Sequence, residues 1–194
     1  MRPAHQRARR LTAALVAALA FAAGGVLAWR LLADRTPDIE SRTAGDQRGY
    51  YLTDGRLYLS AAGEELKVFH VRDGSGLVAV RQAGIEVAIV SGRSSAAVER
   101  RAAELGIRHV RQGVADKGAV LEGMLAELGV EQMHTACVGD DTPDLPMLRR
   151  AGLAIAVADA HPAVLGAVHW VTPSPGGHGA VRDVCDLLIS ARAG

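Results

Sequence analysis

The stretch Thr135–Arg149, T-A-C-V-G-D-D-T-P-D-L-P-M-L-R, limits the fold of this chain more than any other. Thr135–Val138 are small or apolar and suit a short buried strand. The run passes straight into Gly139, then Asp140, Asp141 and Asp144. Three carboxylates so close together repel one another unless a cation neutralises them. In an open α/β sheet, the C-terminal end of a strand is also where ligands bind. Pro143 and Pro146 suit the first turn of a following helix, where a missing N–H costs little. An Asp-rich turn that only caps that helix would read the same way, so the rest of the chain must decide.

From Tyr51 the order of elements is regular. Leu57–Leu59 and Leu66–Val71 flank Ala61-Ala62-Gly63 as a β-hairpin. Arg72-Asp73-Gly74 opens a helix through Leu77 and Val80, stopped by Gly84. Ile85–Val90 is an apolar strand interrupted only by Glu86, and it ends in Ser91-Gly92-Arg93. Ser94 or Ser95 is placed to cap the helix Ala96–Leu105. A hydroxyl, a glycine and an arginine facing a helix N-terminus make an oxyanion pocket, although an ordinary capped turn has the same composition. Ile107–Val110 is the next strand, and Gln112–Lys117 leads into an amphipathic helix through Leu121, Met124 and Leu128. Lys117 opens that helix where the dipole disfavours cations, which implies an anion nearby, although a plain solvated lysine would look the same. Leu153–Val157 is a strand, Asp159-Ala160-His161-Pro162 a turn before a helix from Ala163, and His169–Val171 a last strand. Pro173–Gly179 then leads into a helix over Ala180–Ile189. His161, before a proline, reads as a turn residue rather than a ligand. Alternating strands and helices of this length specify an α/β fold with a doubly wound parallel sheet.

Upstream the chain is different. Met1–Arg10 carries Arg2, Arg7, Arg9 and Arg10 and no acid, and Leu11–Trp29 has no charge. Residues 1–33 therefore read as a signal or single membrane anchor, with the rest sent outward, although an Ala-rich helix lying on the domain would have the same composition. Residues 34–50 are polar and aperiodic and read as a linker or a degenerate first strand. Residues 51–194 form the domain. With 22 basic against 21 acidic residues and 4% aromatics, the chain carries no nucleic-acid footprint. Cys137 and Cys185 both sit in apolar runs and read as small core residues.

Taken together, Leu52-Thr53-Asp54-Gly55, Phe69–Gly74, Ser91-Gly92-Arg93, Asp116-Lys117 and Gly139-Asp140-Asp141-x-x-Asp144 resemble one family. It is the 3-deoxy-D-manno-octulosonate 8-phosphate phosphatases of the haloacid dehalogenase superfamily. The hairpin, F-H-V-R-D-G, Ala158–Pro162 and the tail Pro175–Arg182 are specific to that branch. The resemblance implies a Rossmann-like sheet with the hairpin as a minimal cap, a sugar-acid phosphate substrate and Mg²⁺. It also implies a homotetramer packed through the hairpin. Ser91 would hydrogen-bond the transferring phosphoryl group, and Lys117 would offset its charge. Asp140 would coordinate Mg²⁺, with Asp141 and Asp144 as further ligands or supports. Thr53, Arg72, Gly92, Arg93 and the tail loop would line the substrate site. The family is cytoplasmic, whereas Leu11–Trp29 points to a membrane or to export.

The family's first strand is apolar and ends in D-x-D-G-V-L-T-D-G, its two carboxylates serving as nucleophile and general acid/base. This chain keeps Leu52–Gly55. Counting back without a gap puts Gln47 and Gly49 in the catalytic places. One inserted residue makes Asp46 the nucleophile and places Arg48 where the acid belongs. Val26–Ala33 ending at Asp34 is a further option, with a long insertion. The sequence thus carries three readings: a Mg²⁺-dependent sugar-acid phosphatase, a catalytically impaired relative that keeps the fold for phosphosugar binding or assembly, or an ordinary cytosolic enzyme whose first fifty residues are a disrupted or misassigned start.

Overall fold

The structure is a computed structural model, and it describes residues 52–53, 58–59 and 65–193. The anchor or signal segment, the linker, Asp34 and Asp46 all lie outside these residues. Two short strands, β1 (Tyr58–Leu59) and β2 (Glu65–Leu66), pair antiparallel with Tyr58 opposite Leu66. This is the hairpin expected from the sequence, with its second arm ending at Leu66. Val71, expected at the end of that arm, already belongs to helix α1 (Val71–Gln82).

The chain then alternates. Strand β3 (Ala88–Val90) leads to α2 (Ala96–Glu104), β4 (His109–Arg111) to α3 (Lys117–Leu128), and β5 (Ala136–Gly139) to a 3-10 turn at Thr142–Asp144 and the short α4 (Leu145–Leu148). Strand β6 (Leu153–Ala156) leads to α5 (Pro162–Leu165), and β7 (Trp170–Val171) to α6 (Ala180–Ala193). Helix α6 continues one turn past the expected end at Ile189. Gly129 closes α3 at φ 64°, where its N–H bonds back to Leu125 and Ala126. That left-handed C-cap is open to glycine at no steric cost.

All five of these later strands run parallel. β3 pairs with β4, and β5, β6 and β7 form one ladder with β6 in the middle. Among the described residues the two ladders are not hydrogen-bonded to each other, so the single sheet expected from the sequence is seen in two parts. They share one core nonetheless: Val90 of β3 and Cys137 of β5 fall in the same hydrophobic cluster with Leu121, Met124 and Leu125 of α3.

Strand β6, L-A-I-A, shows why the fold is doubly wound. All four residues are buried. Ala154 and Ala156 face the cluster under α3 and α4, while Leu153 and Ile155 face Val184 of α6. The period of two thus puts small residues on one face and large ones on the other, with helices covering both. A third cluster joins Leu77 and Val80 of α1 to Ala102, Leu105, Val181 and Cys185. Leu125 packs inside where Leu128 was expected, and Leu128 is 37% exposed.

Candidate active site at the strand ends

The C-terminal ends of β3, β5, β6 and β7 carry most of the residues singled out by sequence, and the turn after β5 is the most tightly built of these ends. Asp144 has no exposed surface. Its Oδ1 accepts a hydrogen bond from Lys117 Nζ, and its Oδ2 accepts the backbone N–H groups of Asp140 (3.0 Å) and Asp141 (3.2 Å). The anion implied by a lysine at a helix start is therefore Asp144. Lys117 is itself 5% exposed, so the pair lies in low dielectric, where each charge depends on the other. Asp116 provides the helix cap that Lys117 cannot, accepting from Gly118 N–H (2.9 Å) and Ala119 N–H (3.0 Å).

The close fit of this turn rests on Gly139. A Cβ there would come within 2.7 Å of Asp144 Cβ and 2.9 Å of Leu148 Cδ1. Asp141 is buried, and its Oδ1 accepts from Thr142 N–H at 2.6 Å. Asp140 is half-buried at the mouth of the turn. The three aspartates thus differ in surroundings. Both oxygens of Asp144 accept from protein donors, which fits the support alternative expected for it. Among the described residues no three His, Cys, Asp or Glu side chains form a metal cluster.

The turn after β3 is built from local bonds. Ser91 Oγ donates to Arg93 O (2.9 Å) and accepts from Arg93 N–H (3.2 Å). Ser91 N–H donates to Arg111 O (2.9 Å), and Val114 N–H to Ser91 O (3.0 Å). These bonds hold Ser91-Gly92-Arg93 beside the loop that leads into Lys117. Gly92 is exposed, with only Val114 O within 3.5 Å of where a Cβ would stand. Ser95 precedes α2 as its N-cap, but its side chain makes no capping bond. Gln112 clamps its main chain instead, Oε1 accepting from Ser95 N–H (2.9 Å) and Nε2 donating to Ser95 O (3.3 Å). Nothing in the sequence marked Gln112.

Thr53 is buried at 2% exposure. Arg72 is exposed on the first turn of α1. Beside it, Asp73 is 1% exposed and accepts Arg182 N–H at 2.9 Å, so a carboxylate on α1 caps the N-terminus of α6. Burial pushes the Asp73 carboxyl above its ordinary value, opposed by the Arg182 N–H and His70. Burial likewise raises Cys137 and Cys185 to about 12, which fits their reading as core thiols.

Comparison with known proteins fits this geometry. Residues 109–183 match the haloacid dehalogenase-like hydrolase family. The chain is 46% identical over 141 residues to the 3-deoxy-D-manno-octulosonate 8-phosphate phosphatase KdsC of Escherichia coli (strain K12), a match spanning 73% of this chain and 75% of the relative. The chain belongs to that phosphatase family. Two solved structures of like fold agree. A probable YrbI family phosphatase from Pseudomonas syringae is 48% identical, with TM-score 0.73, covering 74% of this chain and 81% of that one. The 3-deoxy-D-manno-octulosonate 8-phosphate phosphatase of Moraxella catarrhalis, solved with magnesium, phosphate and KDO, is 46% identical, with TM-score 0.72, covering 73% and 82%.

Family membership makes the loop after β6 informative. His161, expected as a turn residue, is the N-cap of α5. Its Nδ1 accepts Ala163 N–H at 3.1 Å, and its own N–H donates to Asp140 O at 2.7 Å. Asp159 Oδ1 accepts Gly176 N–H at 2.7 Å, and Asp183 Oδ2 accepts Ser174 N–H at 2.9 Å. The sequence showed these acids without showing what they hold. Among the described residues no helix is long and apolar enough to cross a membrane.

Proposed function

We propose that this chain hydrolyses a sugar-acid phosphate of the 3-deoxy-D-manno-octulosonate 8-phosphate type, with Mg²⁺ as cofactor. The observation that carries the reading is the buried Lys117–Asp144 pair beneath the Asp140–Asp141 turn, in a chain 46% identical to such a phosphatase. The donor set suits a hard cation that takes one or two carboxylates and completes its shell with water and phosphate oxygens. Asp140 and the second oxygen of Asp141 would hold it. When bound, Mg²⁺ supplies positive charge to the phosphoryl oxygens.

The other groups bind and orient the substrate. Ser91 Oγ exchanges its bond to Arg93 O for one to a phosphoryl oxygen, and the exposed Gly92 leaves room for that oxygen to approach. Lys117, fixed by Asp144, adds positive charge below. Thr53, Arg72 and Arg93 contribute to the sugar-acid side. Asp46 is the nucleophile in this reading: its carboxylate attacks phosphorus as the P–O bond to the sugar breaks and the departing oxygen takes a proton from solvent water, and a water molecule then cleaves the acyl phosphate to release inorganic phosphate. Arg48 stands where a proton donor belongs and stays protonated at neutral pH. Turnover is therefore expected to be slower by about 10²–10⁴ than with a general acid in place. The same reading takes the protein as a homotetramer and residues 1–33 as an anchor or signal.

Phosphate release from 3-deoxy-D-manno-octulosonate 8-phosphate is the test, with and without Mg²⁺. Slow, Mg²⁺-dependent release abolished by Asp46→Asn is expected. Release untouched by Asp46→Asn but lost in Asp34→Asn would move the nucleophile to Asp34. No release at all would favour the impaired relative.

A further inference from the structure

The loops after β5, β6 and β7 lie side by side, because these strands are parallel neighbours with β6 in the centre. The middle loop, Ala158–His161, is bonded to both of the others. Toward β5, His161 N–H donates to Asp140 O at 2.7 Å and Val157 N–H to Gly139 O at 3.3 Å. Toward the tail, Ala158 N–H donates to Ser174 O at 3.3 Å, and the Asp159 carboxylate accepts Gly176 N–H at 2.7 Å. Among the described residues, this carboxylate–amide bond is the only side-chain tie between the middle loop and the tail loop. The tail loop contains Gly177 at φ 69° and Gly179 at φ 116°, so its own backbone preferences do little to hold one conformation. Because His161 Nδ1 accepts from Ala163 N–H, the neutral ring carries its proton on Nε2.

We propose that Asp159 and His161 set the substrate specificity of the site. Asp159 is a positioning residue that fixes the tail loop relative to the Asp140 turn, and His161 offers its Nε2–H to an oxygen of the sugar-acid part of the ligand. The inference rests on the phosphatase reading and extends it to the end of the ligand remote from phosphorus. Inorganic phosphate, which has no such end, needs neither residue.

Calorimetric titration of the full chain with 3-deoxy-D-manno-octulosonate 8-phosphate, and separately with inorganic phosphate, both with Mg²⁺, tests this without requiring turnover. A lost charge-assisted hydrogen bond is expected to weaken the sugar-acid phosphate about tenfold in Asp159→Ala. Inorganic phosphate affinity and the thermal midpoint should stay close to those of the unaltered chain. Asp159→Asn, which keeps an acceptor for Gly176 N–H, is expected to recover most of the affinity. His161→Gln, which retains a donor, should bind better than His161→Ala. Equal weakening of both ligands would make the loop a support for the Asp140 turn and overturn the proposal, as would no weakening of either. If the unaltered chain binds inorganic phosphate but not the sugar-acid phosphate, the substrate reading and this inference fall together. Normal binding that Asp159→Ala and His161→Ala leave unchanged overturns this inference alone.

Discussion

The turns after β5 and β3 sit at the same end of the molecule and are built in opposite ways. After β5, a fully buried carboxylate takes a lysine and two backbone amides, and a glycine is required for the chain to pass. After β3, a partly exposed hydroxyl bonds only within its own three-residue turn. In the first turn the charge of Asp144 is met by Lys117 before any ligand arrives, so this pair needs no reorganisation and acts as a fixed electrostatic floor. The second must exchange weak local bonds for ligand bonds. Stability is thus concentrated in one turn and adaptability in the other.

The comparison breaks most readily at Lys117. Lys117→Met leaves Asp144 charged and buried without its partner, and should lower unfolding free energy by about 3–5 kcal/mol, read from urea denaturation. Adding Asp144→Asn to that variant should restore part of the loss, because the amide oxygen still accepts backbone N–H groups. A loss below about 1 kcal/mol for Lys117→Met would mean that the pair is screened by water as surface pairs are.

A smaller effect is expected at Asp73, a buried carboxylate with no lysine. Its folded value lies above the ordinary 3.8 because of burial. The folded state therefore holds the proton more tightly than the unfolded chain. This group's contribution to stability falls as pH rises from about 3.8 through the raised folded value, and is level above it. Asp73→Asn should flatten that slope while keeping an acceptor for Arg182 N–H. Asp73→Ala should cost about 1–3 kcal/mol at neutral pH by stranding the amide. An unchanged slope in Asp73→Asn would assign the pH dependence elsewhere.

Smallest in stability, and largest in ligand effect relative to it, is Ser91→Ala. Loss of a half-exposed local pair should shift unfolding by less than about 1 kcal/mol. Inorganic phosphate affinity should fall about tenfold, as expected for a hydrogen bond to a charged group. A stability loss as large as that at Lys117 would erase the contrast between the two turns.

Much of the fold was legible because its signals are local. The apolar runs ending at Val90 and Val138, the buried L-A-I-A of β6 and the glycines that stop the helices each act within a few residues. Ser91, Lys117 and the aspartates were legible as a set because they stand at strand ends or helix starts. What the letters did not show depends on distance in sequence. Asp73 meets Arg182 at a separation of 109 residues, and Gln112 meets Ser95 at 17. That both oxygens of Asp144 are already used by protein donors likewise shows only in the packing. Ser95 was the expected cap by type, yet Gln112 competes for its main chain and leaves its hydroxyl unbonded.

The most direct test of the account is calorimetric binding of inorganic phosphate to the full chain as Mg²⁺ is varied, compared with Asp140→Asn. The account predicts that phosphate binds in a Mg²⁺-dependent manner, and that Asp140→Asn abolishes this dependence while the protein stays folded, because Lys117 and Asp144 are untouched. Equal Mg²⁺-dependent binding by both proteins, or phosphate binding indifferent to Mg²⁺ in the unaltered chain, would contradict it.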